Sequence, residues 1–129
     1  MPTRILIADD DDSIRKLLRR LLEENPDWQI CGEARNGTDA IAQVQQLTPD
    51  IAILDLAMPQ MNGLDAARMI RETAPTLPML LLTVQDVSAE LATEAIKAGF
   101  SGAVSKSTGY EVVQGIETLL RRRPFFKPS

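Results

Sequence analysis

Five side chains that can bind a cation or a phosphate group follow short apolar segments of the sequence. They are Asp9 and Asp10 after "RILIA", Asp55 at the end of "IAILD", Thr83 at the end of "PMLLLT", and Lys106 after "SGAVS". Short, nearly continuous aliphatic runs are typical of strands buried on both faces of a parallel sheet. Open parallel sheets bind ligands at the carboxyl ends of their strands. Three carboxylates, a hydroxyl and an ammonium are therefore predicted to meet at one edge of a sheet.

The acidic side chains of this set favour a bound cation. Carboxylates gathered in a cleft raise each other's pKa unless a positive charge lies between them. Mg²⁺ prefers oxygen ligands, uses few protein carboxylates and keeps positions free for water or a phosphate oxygen. We therefore expect Asp9 and Asp10 to hold Mg²⁺, whereas Asp11 and Asp12 serve the loop and the cap of the following helix.

Asp55, Lys106 and Thr83 add the groups needed to accept a phosphoryl group. The carboxylate of Asp55 can attack phosphorus and form an acyl phosphate, and the metal and Lys106 then neutralise charge on the equatorial oxygens. The Thr83 hydroxyl can hydrogen-bond one of these oxygens only after modification. Such a bond pulls the loop after the fourth strand toward the site, so modification is predicted to act as a conformational switch.

Amphipathic patterns between the apolar segments predict the helices that position these residues. Apolar residues recur at helical spacing within residues 14–22, 40–47, 64–70, 91–96 and 112–120. One more apolar segment, "WQICGEA" at 28–34, completes five alternations of strand and helix. Right-handed crossovers then imply an α/β fold in which five helices cover both faces of a parallel sheet.

The domain organisation follows from the length and the carboxyl-terminal residues. A chain of 129 residues has the size of one domain. After the last helical stripe come two prolines and a basic cluster, "RRRPFFKPS". Prolines interrupt helices and are common in extended linkers. We expect a single domain over 1–121 and the start of a linker, or a C-terminal tail, over 122–129.

Composition and charge narrow the functional classes. With 44% hydrophobic residues and a formal net charge of −4, the chain is ill suited to grip a nucleic acid backbone. Histidine is absent, which excludes a histidine general base and most zinc sites. A single cysteine, Cys31, and an amino terminus without a long apolar stretch favour a reducing compartment and no membrane span. We therefore expect a cytoplasmic protein that does not contact membranes.

Taken together, these positions resemble the receiver domain of two-component response regulators. The resemblance covers about residues 4–120 and is carried by Asp9 and Asp10, by "ILDLAMPQMNGLD" (53–65) around Asp55, by Thr83, and by Lys106 after "AGFSGAVS". It implies a flavodoxin-like (CheY-like) fold with a five-stranded parallel sheet in the order 2-1-3-4-5. It further implies Mg²⁺ bound by Asp10, Asp55 and the backbone carbonyl of Ala57, with Asp9 helping through water.

The resemblance also implies partners. Phosphate would come from the phosphohistidine of a sensor histidine kinase onto Asp55, with Ile14 and Leu18 of the first helix in the kinase contact. The segments "RILIADD" and "GEARNGTDAI" are similar to the NarL/LuxR-type subfamily, whose receivers precede a helix-turn-helix domain. Contact with DNA is expected only through such an output domain, which these 129 residues do not include. A phosphorylation-dependent homodimer is expected through helix four, strand five and helix five, near Ala103, Ser105 and Tyr110.

Some residues depart from the family pattern. Ala103 stands where the family has an aromatic that moves inward on activation, so the signal must leave Thr83 by another route. Ser107 stands where a proline is common, and Val84 stands where a small residue is preferred. Ala57 and Gln85 stand where side chains of the family tune the hydrolysis of the acyl phosphate.

The sequence argues against two enzyme classes that use a similar fold. An aspartate-nucleophile phosphatase needs a second acid two residues after Asp55, where this sequence has Ala57. A dinucleotide-binding enzyme needs a glycine-rich turn after the first strand, where four aspartates would repel a pyrophosphate. We therefore expect a signalling domain rather than an enzyme acting on an external substrate. An unphosphorylated pseudo-receiver that works as a protein-interaction module stays open as the alternative.

Overall fold

The computed structural model describes residues 2–106 and 109–126 of the chain. Strands and helices alternate along it. The strands are β1 (Thr3–Ala8), β2 (Trp28–Ala34), β3 (Ile51–Asp55), β4 (Met79–Thr83), β5 (Gly102–Ser105) and β6 (Phe125–Phe126). The helices are α1 (Asp12–Leu22), α2 (Gly37–Leu47), α3 (Gly63–Thr73), α4 (Ala89–Ala98) and α5 (Gly109–Leu120). Position 107 and the last three residues of the predicted tail, 127–129, lie outside the described residues.

All neighbouring strands of the sheet are parallel. The order is β2-β1-β3-β4-β5-β6, which contains the predicted 2-1-3-4-5 arrangement of a flavodoxin-like fold. The prediction of a five-stranded sheet is wrong, because the described residues form six strands. The domain boundary predicted at residue 121 falls between α5 and β6.

The sixth strand extends the edge formed by β5. The backbone N–H of Phe125 donates to the carbonyl of Ser101 at 2.9 Å, and Phe125 and Phe126 pair with Gly102 and Ala103. The two phenylalanines point to opposite faces of the sheet. Phe125 packs against the apolar cluster that contains Leu22 and Ile116, and Phe126 packs against the cluster on the other face. A Cβ added at Gly102 would lie 2.6 Å from the carbonyl oxygen of Phe125, so the close approach of β6 requires glycine there.

Alternation along the strands divides the core into two halves, one on each face of the sheet. Leu6 and Leu81 face the half that includes Ala67 and Ile70 of α3. Ile5, Ile7 and Leu82 face the half that α1 and α5 cover with Leu22 and Ile116. Side chains pointing to opposite faces at successive positions explain why these strands read as continuous aliphatic runs. The expectation of five helices on both faces is confirmed, and none of the described helices is long and apolar enough to cross a membrane.

Candidate functional site

The carboxyl ends of four strands carry the side chains predicted for the site. Asp9 follows β1, Asp55 ends β3, Thr83 ends β4 and Lys106 follows β5. An open cavity of about 280 Å³ at this edge is lined by Asp10, Asp55, Ala57, Thr83 and Lys106, among others. Every residue predicted for the site therefore lies in this cavity, except Asp9, which contacts it through Lys106.

Lys106 connects two buried carboxylates. Its Nζ lies 2.7 Å from Oδ2 of Asp9 and 3.1 Å from Oδ1 of Asp55. Burial lowers the pKa of Lys106, but the hydrogen bonds to Asp9 and Asp55 outweigh that cost, and the pKa lies above its ordinary value. The ammonium form of Lys106 is therefore kept at neutral pH.

The pKa of Asp55 lies above that of an ordinary aspartate. Burial raises the pKa of Asp55 first, and the negative charge of Asp9 raises it further. The hydrogen bond and charge of Lys106 and the backbone amide of Ala57 oppose this increase without cancelling it. Lys106 therefore balances the negative charge of ionised Asp55 only in part, and a bound cation would supply the missing positive charge.

The carboxylates of Asp9, Asp10 and Asp55 fit a hard divalent cation. Each offers one oxygen atom, and these three atoms all lie within 4.8 Å of one another. Asp9 and Asp55 are buried, whereas Asp10 is exposed and lines the cavity. An all-oxygen donor set with an open side suits Mg²⁺ better than the softer metals that thiolate and imidazole ligands select.

The loop after β3 is held close to Asp55 by a glycine. The N–H of Gly63 donates to the carbonyl of Leu56 at 2.9 Å, and a Cβ added at Gly63 would lie 2.3 Å from the backbone oxygen of Asp55. Asn62 caps α3 by accepting from the N–H of Asp65 at 2.8 Å. These contacts explain "MNGLD" in physical terms: asparagine begins α3, and only glycine allows the helix to approach the end of β3.

Thr83 lies at the other border of the cavity. Its hydroxyl oxygen accepts from the N–H of Gln85 at 3.2 Å, and its carbonyl accepts from the N–H of Lys106 at 2.8 Å. Because a hydroxyl both accepts and donates, the Thr83 hydroxyl can accept from Gln85 and also donate its proton to an incoming oxygen. The next residue, Val84, also lines the cavity, and its side chain is 80% exposed.

The buried guanidinium of Arg15, which sequence reasoning missed, contacts the loop between β1 and α1. Arg15 of α1 is 5% exposed, donates to the backbone carbonyl of Asp9 and to the carboxylate of Asp12, and pairs with Glu33 of β2. The four consecutive aspartates are the signal that could have revealed it, because a basic residue three positions after Asp12 lies on the same helical face.

Comparison with known proteins agrees with this architecture. Residues 5–117 match the family model described as response regulator receiver domain. The chain therefore belongs to the response regulator receiver domain family, the receivers of two-component signal transduction. A response regulator of the LuxR family from Aurantimonas sp. SI85-9A1 superposes with a TM-score of 0.92 and 34% identity, covering 97% of this chain and 89% of that one. The signal receiver domain of the putative response regulator NarL from Mycobacterium tuberculosis superposes with a TM-score of 0.87 and 28% identity, covering 95% and 98%.

Longer proteins of two kinds share this domain. The transcriptional regulatory protein YdfI of Bacillus subtilis is 38% identical over 110 residues, which are 85% of this chain and 51% of that protein. A protein-glutamate methylesterase/protein-glutamine glutaminase of Pyrococcus abyssi is 38% identical over 96 residues, 74% of this chain and 26% of that protein. The chain thus spans between a quarter and about half of the length of these two curated relatives.

Proposed function

We propose that this receiver is a phosphoryl-accepting switch that takes phosphate from the phosphohistidine of a sensor histidine kinase onto Asp55 in the cytoplasm. The observation that carries the proposal is the position of Asp55, with Lys106 3.1 Å away and carboxylate oxygens of Asp9 and Asp10 within 4.8 Å. A nucleophile, a fixed ammonium and further acidic ligands thus face one open cavity, as acyl phosphate formation requires.

Mg²⁺ is the cofactor that these residues fit. The carboxylates of Asp10 and Asp55 and the backbone carbonyl of Ala57 would hold the ion, with Asp9 contributing through water. When bound, it supplies positive charge to the oxygens of the transferring phosphoryl group. Support comes from the acidic donor set and from the raised pKa of Asp55.

The chain's own groups perform the remaining steps. A carboxylate oxygen of Asp55 forms the new bond to phosphorus, while the bond between phosphorus and the imidazole nitrogen of the donor breaks. The ammonium of Lys106, which neighbours Asp55, is placed to pair with one phosphoryl oxygen. The Thr83 hydroxyl donates to another, which draws the residues after β4 toward the site. No external substrate is turned over, so the domain is proposed as a signalling module and not as an enzyme.

We assign the output to transcription, through a helix-turn-helix domain of a longer protein, with residues 1–121 as the receiver and 122–129 as the start of a linker, or a C-terminal tail, whose Phe125 and Phe126 pair with β5. The likeness to the LuxR-family response regulator, with a TM-score of 0.92 and 34% identity, supports this output over the methylesterase output of other relatives. Reporter expression controlled by the longer protein, compared with methanol release from a glutamate methyl ester by the same protein, distinguishes the two outputs. Methanol release without a transcriptional effect would overturn the assignment.

Partner contacts belong to the same proposal. An apolar groove between α1 and α5, lined by Ile14, Leu17 and Lys106 among others, is the surface we assign to the kinase. Leu17, which is 61% exposed, offers more to that contact than Leu18, which is buried. For the phosphorylation-dependent homodimer the exposed candidates are Tyr110 and Ile96.

Two residues expected near the dimer surface are covered. Ala103 and Ser105 are buried in β5, and Ala103 pairs with Phe126 of β6. The proposed dimer must therefore use the helices on either side of this edge. Sedimentation with and without a beryllofluoride phosphate mimic tests it, and equal sedimentation in both states would overturn the dimer.

Intact mass after incubation with Mg²⁺ and a small-molecule phosphodonor tests the central proposal. We expect one labile phosphate on the wild-type chain and none on Asp55→Asn, which preserves the size and polarity of the side chain. Chelation of the metal should suppress the adduct. A chain that stays unmodified at saturating Mg²⁺ and donor, while its far-ultraviolet circular dichroism shows a folded domain, would favour the pseudo-receiver.

A further inference from the structure

Arg15 is a charged residue in an unusual environment. It is 5% exposed, although arginine is almost never fully buried unless it is paired. Its position in the first turns of α1 places the guanidinium beneath the β1–α1 loop, which we define as residues 9–11. The reason for its burial must therefore lie in the groups that it contacts.

The guanidinium contacts three segments at once. It donates to the backbone carbonyl of Asp9 in the β1–α1 loop and to Oδ1 of Asp12 at the start of α1. Its Nε also donates to Oε1 of Glu33 in β2 at 3.1 Å. Oε2 of Glu33 accepts from Nε of Arg19 at 2.8 Å, so both oxygens of this carboxylate are used. Arg15 thus ties the loop to the helix that follows it and to the neighbouring strand.

These contacts leave each of the four aspartates with a different task. Oδ1 of Asp9 accepts from the N–H of Asp11, and Asp11 caps α1 through the N–H groups of Ser13 and Ile14. Asp12 is paired with Arg15. Among the described residues, the side chain of Asp10 alone of these four has no hydrogen bond or ion pair, and it lines the cavity.

From this arrangement we propose that Arg15 is a positioning residue that sets the Mg²⁺ affinity of the site by fixing the backbone between Asp9 and Asp12. The inference rests on the proposed function. Two effects of Arg15 oppose each other, because its charge repels a cation while its hydrogen bonds pre-organise the ligands. Fixing a ligand before binding removes an ordering cost, and partners that orient metal ligands commonly change affinity about 10–100-fold. We assign the larger effect to positioning.

Variants of Arg15 separate the two effects, because they change its charge and its geometry independently. Arg15→Lys keeps the charge but loses the planar fork of donors, whereas Arg15→Met loses both. Positioning predicts that both variants weaken Mg²⁺ binding, measured by calorimetric titration of the whole chain, by about 10-fold. An effect of charge alone predicts tighter binding by Arg15→Met and unchanged binding by Arg15→Lys. Either of those results, or unchanged binding by both variants, would overturn the proposal.

The matched controls test whether the effect comes from the contacts. Arg20→Met removes the same charge from an exposed position of α1 and should leave the affinity unchanged. Glu33→Gln keeps Arg15 and should weaken binding in the same direction by a smaller factor, which also covers the case that Arg15→Met does not fold. At saturating Mg²⁺ the phosphorylation rate of Arg15→Lys should return to the wild-type value, a recovery that general misfolding would not allow.

Failure of this inference is distinguishable from failure of the proposed function. A wild-type chain that neither binds Mg²⁺ nor accepts phosphate would contradict the function. A wild-type chain that does both, with Arg15→Lys and Arg15→Met of equal affinity to it, would contradict only the role of Arg15.

Discussion

The β1–α1 loop and the β4–α4 loop (84–88) border the same cavity but are held very differently. In the first, the N–H of Asp9 donates to the carbonyl of Ala34 at 3.0 Å, the N–H of Asp11 donates to Asp9 at 2.9 Å, and Arg15 fixes the Asp9 carbonyl. In the second, the N–H of Gln85 donates to the Thr83 hydroxyl at 3.2 Å, and the side chain of Val84 is 80% exposed.

This difference indicates that the β1–α1 loop is rigid and serves cation binding, whereas the β4–α4 loop can move on phosphorylation. Segments with few buried contacts and exposed side chains rearrange at low cost, whereas buried polar networks are rigid. The backbone of the β1–α1 loop is therefore held in place before any cation arrives. Residues 84–86 of the β4–α4 loop are exposed and can follow Thr83 when a phosphoryl group offers the Thr83 hydroxyl a new acceptor, whereas Val87 stays packed in the core. The following predictions test this division, from the largest expected effect to the smallest.

Loss of Lys106 should have the largest effect on stability, because its ammonium pairs with both Asp9 and Asp55. Lys106→Met keeps the length of the stem but leaves Asp9 and Asp55 facing each other without a positive charge. Removing one partner from a buried ion pair commonly costs about 3–5 kcal/mol. We expect the free energy of unfolding without Mg²⁺, measured in urea, to fall by about 3 kcal/mol.

Added Mg²⁺ should restore part of that loss, since the cation replaces the missing charge. Lys97→Met, at an exposed position of α4, is the matched control and should be neutral. An unchanged urea midpoint for Lys106→Met would mean that the two carboxylates do not depend on Lys106.

The affinity for Mg²⁺ should depend on pH through Asp55. Because the pKa of Asp55 is raised, first by burial and then by Asp9, its proton competes with the cation at a higher pH than an ordinary carboxyl of pKa about 3.9 would. Affinity should fall by at most 10-fold per pH unit as the pH drops through that raised pKa. A calorimetric titration series measures it. The exposed Asp27→Asn variant should show the same profile, and an affinity that begins to fall only near pH 4 would contradict the role of Asp55.

The same shift makes a prediction about stability, with its sign fixed by linkage. A raised carboxyl pKa in the folded state means that Asp55 contributes stability below its unfolded pKa, and that this contribution is lost as the pH rises through the folded value. Asp55→Asn should therefore raise the urea midpoint at neutral pH without Mg²⁺. An unchanged or lower midpoint would contradict the assigned electrostatic strain.

Thr83 should have the smallest effect on the resting state. Thr83→Ala removes the acceptor for the N–H of Gln85 and should cost about 1 kcal/mol, because this single hydrogen bond is long and only partly buried. Phosphorylation and Mg²⁺ affinity should remain near wild type, but the response of residues 84–88 to a phosphate mimic should be lost. Thr83→Ser keeps the hydroxyl and should retain the response. A full response in Thr83→Ala would show that the β4–α4 loop moves without this hydroxyl.

The strand ends could be predicted from the sequence because they depend on short-range patterns. Aliphatic runs identify buried strands, and the parallel topology then places Asp55, Thr83 and Lys106 at one edge, as found. No comparable pattern predicts β6. Its two residues are preceded by Pro124, and its pairing with β5 depends on the close approach that Gly102 allows. A contact of this kind becomes visible only in three dimensions.

Arg15 shows the same limit at the site. Its spacing from Asp12 is visible in the sequence, but its burial and its contact with Glu33 depend on how α1 lies against β2. The sequence indicated that a positive charge belonged among the four aspartates. It did not reveal that a guanidinium of the chain contacts the first and the fourth of them, with Asp10 left for a cation.

Backbone amide shifts of the ¹⁵N-labelled chain, recorded with Mg²⁺ and then with Mg²⁺ and beryllofluoride, test the central claim most directly. We predict that Mg²⁺ alone shifts the amides of residues 10–12 and of Ala57, and that residues 84–88 shift strongly only when the phosphate mimic is added. If millimolar Mg²⁺ leaves Asp10 and Ala57 unchanged, or shifts them equally in Asp55→Asn, the carboxylates do not gather around one cation and the account is wrong.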